Sequence, residues 1–121
     1  LNNKKIGNAF EAEVCNRLAA AGYWVHFIVP DARGAQPFDI IAVRNGEALA
    51  IDCKTCVADW FNISRLEDNQ IMAFERWLEC GNAMPIVMIK HDNNIYAVPY
   101  DYLREYPKSV KLGKEFLINE F

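Results

Sequence analysis

The dipeptide Asn45-Gly46, set between two apolar runs, constrains this chain more than any other local feature. Both residues tolerate positive φ, which a two-residue type I′ hairpin turn requires, and the twist of that turn matches the strands it joins. Residues 38–43 and 48–54 are therefore expected to return on each other as paired strands. The first run carries Asp39, and the second ends in Asp52-Cys53-Lys54. Strand alternation puts Asp52 and Lys54 on one face and Ile51 and Cys53 on the other. A carboxylate in an apolar strand costs desolvation free energy unless a cation or metal offsets it. Simpler explanations exist for each piece: backbone amides can satisfy Asp39, and Asp52 with Lys54 can be a weak surface pair. The hairpin favours function because it gathers all three side chains into one cluster.

Around this hairpin the pattern reads as α/β. Phe10, Val14, Leu18 and Ala21 recur at helical spacing, predicting a helix over 7–21 that stops at Gly22, with Asn8 or Asn3 as its cap. Residues 23–29 read as a strand, and 31–37 as a flexible loop with Arg33 near its centre. A loop holding Trp60, Phe61 and Asn62 leads to a second helix over about 65–80, closed by Gly81. Its apolar face takes in Leu66, Met72 or Ala73, Trp77 and Cys80. Two further strands, 85–90 and 95–99, flank the turn at Asp92-Asn93-Asn94. From Tyr100 a short helix, a Lys-rich turn and an apolar end follow, and the pattern is weakest after about 107. The expectation is one domain over 1–121, with a central mixed β-sheet flanked by helices.

Apolar residues form 52% of the 121 residues, enough for one continuous core. Thirteen Lys and Arg against 16 Asp and Glu leave a formal charge of −3. That balance does not advertise a phosphate-binding surface, although a site built on carboxylates can coexist with cations clustered elsewhere. Four cysteines sit in or beside apolar runs and read as buried free thiols. Cys53-x-x-Cys56 lacks a second pair, and His26 and His91 have no ligand-like spacing, so neither zinc nor redox chemistry is expected. His26 reads as structural. No secretory leader or membrane-length apolar run is seen, which makes a reducing cytoplasm the expected compartment and a membrane an unexpected partner.

Two carboxylates and a lysine are what a hard divalent cation and a phosphodiester need. Mg²⁺ takes octahedral oxygen ligands, so Asp39 and Asp52 can hold it while water and phosphate oxygen fill the other positions. Lys54 can orient or deprotonate the attacking water, or offset charge on the pentacovalent phosphate. Glu11 lies nearer the Phe10-Val14-Leu18 helix face than Glu13 does, taking a step of about 100° per residue. It is the fourth candidate, and Glu13 the more solvated one. Lys4, Lys5, Arg33, Arg44 and Arg65 are candidate phosphate contacts, Arg33 the best placed because its loop leads into Asp39. Gln70 is a polar candidate on the second helix. Trp60 and Phe61 fit a core role, base stacking or a dimer interface.

These residues resemble the PD-(D/E)XK nuclease superfamily, and most closely the archaeal-type Holliday junction resolvases and their phage relatives. The likeness runs from Lys4-Lys5-Ile6-Gly7 to Glu11, through Gly22-Tyr23-Trp24-Val25 and Gly34-Ala-Gln-Pro-Phe-Asp39-Ile-Ile-Ala-Val. It continues with Asn45-Gly46, Ile51-Asp-Cys-Lys54-Thr55, Gln70, Phe74, Gly81-Asn82-Ala83 and the strand over 85–90, covering roughly 4–100. The resemblance implies a restriction-endonuclease-like core, with Glu11, Asp39 and Asp52 binding Mg²⁺ (Mn²⁺ as a substitute) and Lys54 catalytic. It implies that Gln70 stands beside this site and that Arg33 and Gly34 occupy a mobile loop near the scissile strand. It also implies a homodimer that makes paired cuts in a four-way DNA junction, because two sites related by a two-fold axis face opposed strands. Two positions depart from the pattern: Phe38 separates Pro37 from Asp39, and Asp52 stands where Glu is commoner. The leading expectation is a structure-specific DNA endonuclease. The alternatives are a restriction-like or repair nuclease acting on duplex DNA, and a non-catalytic DNA-binding or assembly protein.

Overall fold

The computed structural model describes residues 3–30, 33 and 36–121, with side chains from Gly7 onward. Its centre is the expected hairpin. Asn45 and Gly46 have φ of 53° and 76°, and they join β2 (Ile40–Arg44) to β3 (Glu47–Cys56) with Ile40 opposite Ile51 and Arg44 opposite Glu47. β1 (Trp24–Phe27) pairs antiparallel with β2 on the outer side. On the inner side β3 runs parallel to β5 (Ile86–His91), which is followed antiparallel by β6 (Asn94–Pro99) and the short β8 (Leu117–Ile118). The six-stranded sheet thus has the order β1-β2-β3-β5-β6-β8, mixed as expected. The β3–β5 step is parallel because a helix, α2 (Asp68–Glu79), crosses between them.

Alternation along the central strands divides the core between two faces. Ile51, Cys53 and Met88 pack with Phe10, Val14 and Leu18 of α1 (Asn3–Ala20). Ala50, Val87 and Ile89 pack instead with Phe74 of α2 and with Phe38, Leu66 and Tyr100. Phe10, Val14 and Leu18 are buried as their spacing demands. Phe74 is fully buried, its ring 5.8 Å from that of Phe38 and 5.1 Å from that of Tyr100.

Several elements differ from expectation. α1 extends back to Asn3, so Asn8 lies inside it and does not cap it. α2 starts only at Asp68, because 62–66 is used by a single 3-10 turn, η1 (Ile63–Arg65), capped by the Asn62 side chain. On α2, Met72 is 72% exposed and Ala73 takes the inward position; Cys80 ends the helix exposed, not buried. Asp39 precedes β2 and is not within it, though its N–H still donates to Ile51 O at 3.1 Å. The supposed loop at 60–62 is a strand, β4 (Trp60–Asn62), paired antiparallel with β7 (Ser109–Lys111) in a separate two-stranded sheet. Of its two aromatics, Phe61 enters the core and Trp60 remains 52% exposed. His26 lies exposed on the edge strand, stacked on Trp24 with ring centroids 6.0 Å apart. Much of the loop expected over 31–37 lies outside the described residues. Among the described residues, no helix is long and apolar enough to cross a membrane.

A candidate metal-dependent active site

The β2–β3 register, continued one step past the Ile40–Ile51 pair, sets Asp39 opposite Asp52. Three backbone-level bonds hold Asp39 there. Its N–H donates to Ile51 O, its carbonyl accepts from Ile28 N at 2.8 Å, and its Oδ2 accepts from Cys53 N at 2.8 Å. Both carboxylates are buried, Asp39 to 7% exposure and Asp52 to 0%. The amide that bonds the Asp39 carboxylate is that of Cys53 in the partner strand β3, and it leaves Asp39 facing a second carboxylate.

From the other side, α2 delivers Gln70, which is also buried. Gln70 Nε2 donates to Asp52 Oδ1 at 2.9 Å, while its Oε1 accepts from Lys54 Nζ at 3.2 Å and from Glu67 N at 3.1 Å. One amide side chain thus starts the helix and fixes both strand residues. Lys54 Nζ lies 3.2 Å from Asp52 Oδ2, yet off the direction needed for a hydrogen bond. That oxygen is therefore fully buried with an ionic neighbour and no hydrogen-bond partner. A buried polar atom left in this state is costly unless something else binds it. Burial first, then the charge of Asp39, holds the Asp52 carboxyl well above the usual carboxylate range, with Lys54 pulling the other way.

Glu11 approaches from α1, on the opposite side of the sheet. Its carboxyl is pushed up to about 7, chiefly by burial and then by the charge of Asp39, with Lys54 opposing. It lines an open cleft of about 650 Å³ with Asn8, Cys15, Phe27 and Pro30. Among the described residues, no three His, Cys, Asp or Glu side chains converge into a ready cation cage. The geometry is instead a pair of facing carboxylates, Asp39 and Asp52, with Glu11 electrostatically coupled at the rim. An uncommitted buried carboxylate oxygen beside a second carboxylate suits an oxygen-seeking divalent ion. Glu13, expected to be the solvated one of the two glutamates, accepts from Lys90 Nζ at 2.6 Å and ties α1 to β5.

The five candidate phosphate contacts part company. The side chains of Lys4 and Lys5 lie outside the described residues, as does Gly34; Arg33 is exposed in a turn on the way to Asp39. Arg44 is taken up structurally at the far end of the hairpin. Its Nη1 donates to Ala21 O at 2.7 Å and its guanidinium lies 4.0 Å from the Tyr23 ring centroid. Arg65 donates to Thr55 O and stays exposed near the end of β3. Cys53 and Cys56, three apart on one strand, join different faces of the core. A residue that periodicity did not single out is Asn69, whose Nδ2 donates to Gln36 O at 2.8 Å and so pins the segment entering Asp39. The helix-start pattern Glu67-x-x-Gln70 was the available signal that α2 begins here and turns 69 and 70 toward the site.

The backbone is similar to two solved nucleases. Hjc, a Holliday junction resolvase from the archaeal hyperthermophile Archaeoglobus fulgidus, superposes with a TM-score of 0.66 at 18% identity, over 89% of this chain and 87% of that one. The bacterial homing endonuclease I-Ssp6803I gives a TM-score of 0.66 at 13% identity, over 94% of this chain and 80% of that one. At such identities the likeness establishes the fold, a nuclease core with its mixed sheet between helices. Among curated proteins, none matches the sequence directly. Residues 2–118, however, match the family model described as archaeal Holliday junction resolvase (Hjc), and with the nuclease fold on the same residues this chain belongs to that family, a Holliday junction resolvase-like nuclease.

Proposed function

We propose that the chain is a divalent-metal-dependent endonuclease that cuts four-way DNA junctions as a homodimer, with Asp39, Asp52 and Lys54 at its centre. The observation that carries this reading is the fully buried Asp52 Oδ2, which lacks a hydrogen-bond partner and lies against Asp39 and Lys54. Asp39 and Asp52 would hold the ion, with Glu11 reaching it from the rim directly or through water. Mg²⁺ is the natural choice for an all-oxygen set, and Mn²⁺ fits the same ligands. When bound, the ion supplies a polarised phosphate oxygen and a more acidic water.

The protein groups have separate tasks. The Cys53 N–H fixes the Asp39 carboxylate, and Gln70 fixes Asp52 by its amide hydrogens. Gln70 Oε1 holds the Lys54 ammonium within the cluster, where it orients the attacking water and offsets the charge that develops on phosphate. Glu11, pushed up to about 7, can give a proton when neutral and take one when ionised, both near neutral pH. Asn69 acts as a positioning residue through Gln36. Dimer formation would set two such sites against opposed strands of a branched substrate. Free, raised-pKa thiols at Cys15, Cys53 and Cys56 are compatible with a cytoplasmic setting.

The test compares a four-way junction, a flap and a linear duplex, each with Mg²⁺, for wild type and Asp39→Asn. Paired incision of the junction, absent in the variant and in chelator, is the expected result. Equal cutting of all three DNAs would remove the junction preference, and unchanged cutting by the variant would remove this site.

A further inference from the structure

We propose that the β4–β7 sheet is a second DNA contact, in which Trp60 stacks on a base exposed where the arms of a junction separate. It rests on the branched-DNA reading above. Alternation in β4 is clean: Phe61 is fully buried, while Trp60 on the other side is 52% exposed. The inward positions of the small sheet are already filled by Phe61 and Val110, so Trp60 adds nothing to that core. Three residues earlier in the chain, Val57 is completely exposed. Packing within the small sheet therefore does not account for the exposed Trp60 ring.

Charge identifies the occupant. The chain as a whole carries −3, yet residues 108–114 contain three lysines and no acid. Lys111 lies opposite Trp60 in the β4–β7 register, with Nζ 5.6 Å from its ring centroid. It also pairs with Asp59 at 3.1 Å, in an exposed ion pair that phosphate can readily replace. Lys108 and Lys114, three residues before and after Lys111 in the chain, are also exposed. An exposed aromatic ring with a lysine beside it matches an unstacked base and its flanking phosphate. A second copy of this chain would bring another cationic surface against it.

The small sheet is also tied to the proposed catalytic strand. Arg65 donates to Thr55 O, one residue after Lys54, and Leu112 N donates to Asp59 O at 2.8 Å. Trp60 is six residues from Lys54, at most about 20 Å of extended chain. A base held at Trp60 therefore lies within a few nucleotides of a phosphate at Lys54. Linear duplex offers no unstacked base, so this contact discriminates branched DNA from plain duplex.

The test measures binding without divalent metal to an immobile four-way junction carrying 2-aminopurine at the branch point, and to a linear duplex of the same sequence. Trp60→Ala should weaken junction binding about 10-fold, as loss of one base–aromatic stack does, and leave duplex binding within about 2-fold. Trp60→Phe should restore most of the affinity, and wild type should quench the 2-aminopurine where Trp60→Ala does not. Wild-type junction binding kept by Trp60→Ala, or an equal loss on both DNAs, overturns this proposal alone. No junction preference in wild type overturns it together with the reading beneath it. A fall in mass of Trp60→Ala by sedimentation, with DNA binding intact, would assign the surface to a second copy and also overturn it.

Discussion

Asp39→Asn should make the metal-free protein more stable while removing its activity, because the site holds two carboxylates that only a cation reconciles. Like charges about 4 Å apart repel by roughly 4 kcal/mol at an effective dielectric near 20. Lys54, 3.2 Å from Asp52, already relieves much of that. A net gain of about 1–2 kcal/mol remains, or about 3–8 °C in Tm for a domain of this size. The substitution keeps an oxygen for Cys53 N and brings an NH₂ that can reach the partnerless Asp52 Oδ2. Asp39→Ala has neither, and the unsatisfied Cys53 N–H costs about 1–3 kcal/mol, so it should melt at or below wild type.

The gain has a definite pH dependence. The folded-state pKa of Asp52 lies above its unfolded value of 3.8, so the native state binds the proton more tightly. Its contribution is fully present below pH 3.8 and is lost as pH rises through the raised value. The variant removes part of the cause, so its advantage should appear near neutrality and vanish in acid. Adding Mg²⁺ should reverse the order, since ligand at 100 times Kd stabilises wild type by about 2.7 kcal/mol and the variant has lost a ligand. Melting in chelator at pH 7.5 and pH 4, then with Mg²⁺, gives all three comparisons. Cleavage should fall on the order of 10²–10³-fold. A variant that melts below wild type in chelator at pH 7.5 would falsify the opposed-carboxylate account.

Two other perturbations probe the same cluster. Gln70→Ala strips Asp52 Oδ1 and Lys54 of their shared partner and α2 of its starting bond, so denaturant melts should show a loss of about 2–3 kcal/mol. Its cleavage defect should lie mainly in kcat, and a purely stability-driven loss, cured by lower temperature, would contradict the positioning role. For Glu11, pushed up to about 7 without metal, cleavage at subsaturating Mg²⁺ should rise between about pH 6 and 8, because the ion binds the ionised carboxylate. Glu11→Gln should be slow with that rise gone; a variant keeping the wild-type profile assigns the ionisation to another group. Metal-free stability should run the opposite way, since a raised carboxyl stabilises below its unfolded pKa of 4.5 and ceases to as pH passes about 7.

Local sterics and periodicity suffice for one class of features in this molecule. Asn45-Gly46 dictates its own turn, since only a few residues accept two positive φ angles, and the hairpin register follows. Alternation then separates Asp52 from Cys53, and the 3.6-residue period buries Phe10, Val14 and Leu18. All of these are relations within a few residues. The remainder is set by which distant surfaces bury each other. β4 and β7 lie nearly fifty residues apart and recognise each other only once Phe61 and Val110 share a core. That pairing leaves Trp60 outside, a division between two adjacent aromatics that composition cannot express. The bond of Arg44 to Ala21 O and its stacking on Tyr23 exist only because the packing of the α1 terminus brings those groups beside it. The partnerless Asp52 oxygen arises only where β2, β3 and α2 meet, because burial and hydrogen bonding depend on every neighbour at once.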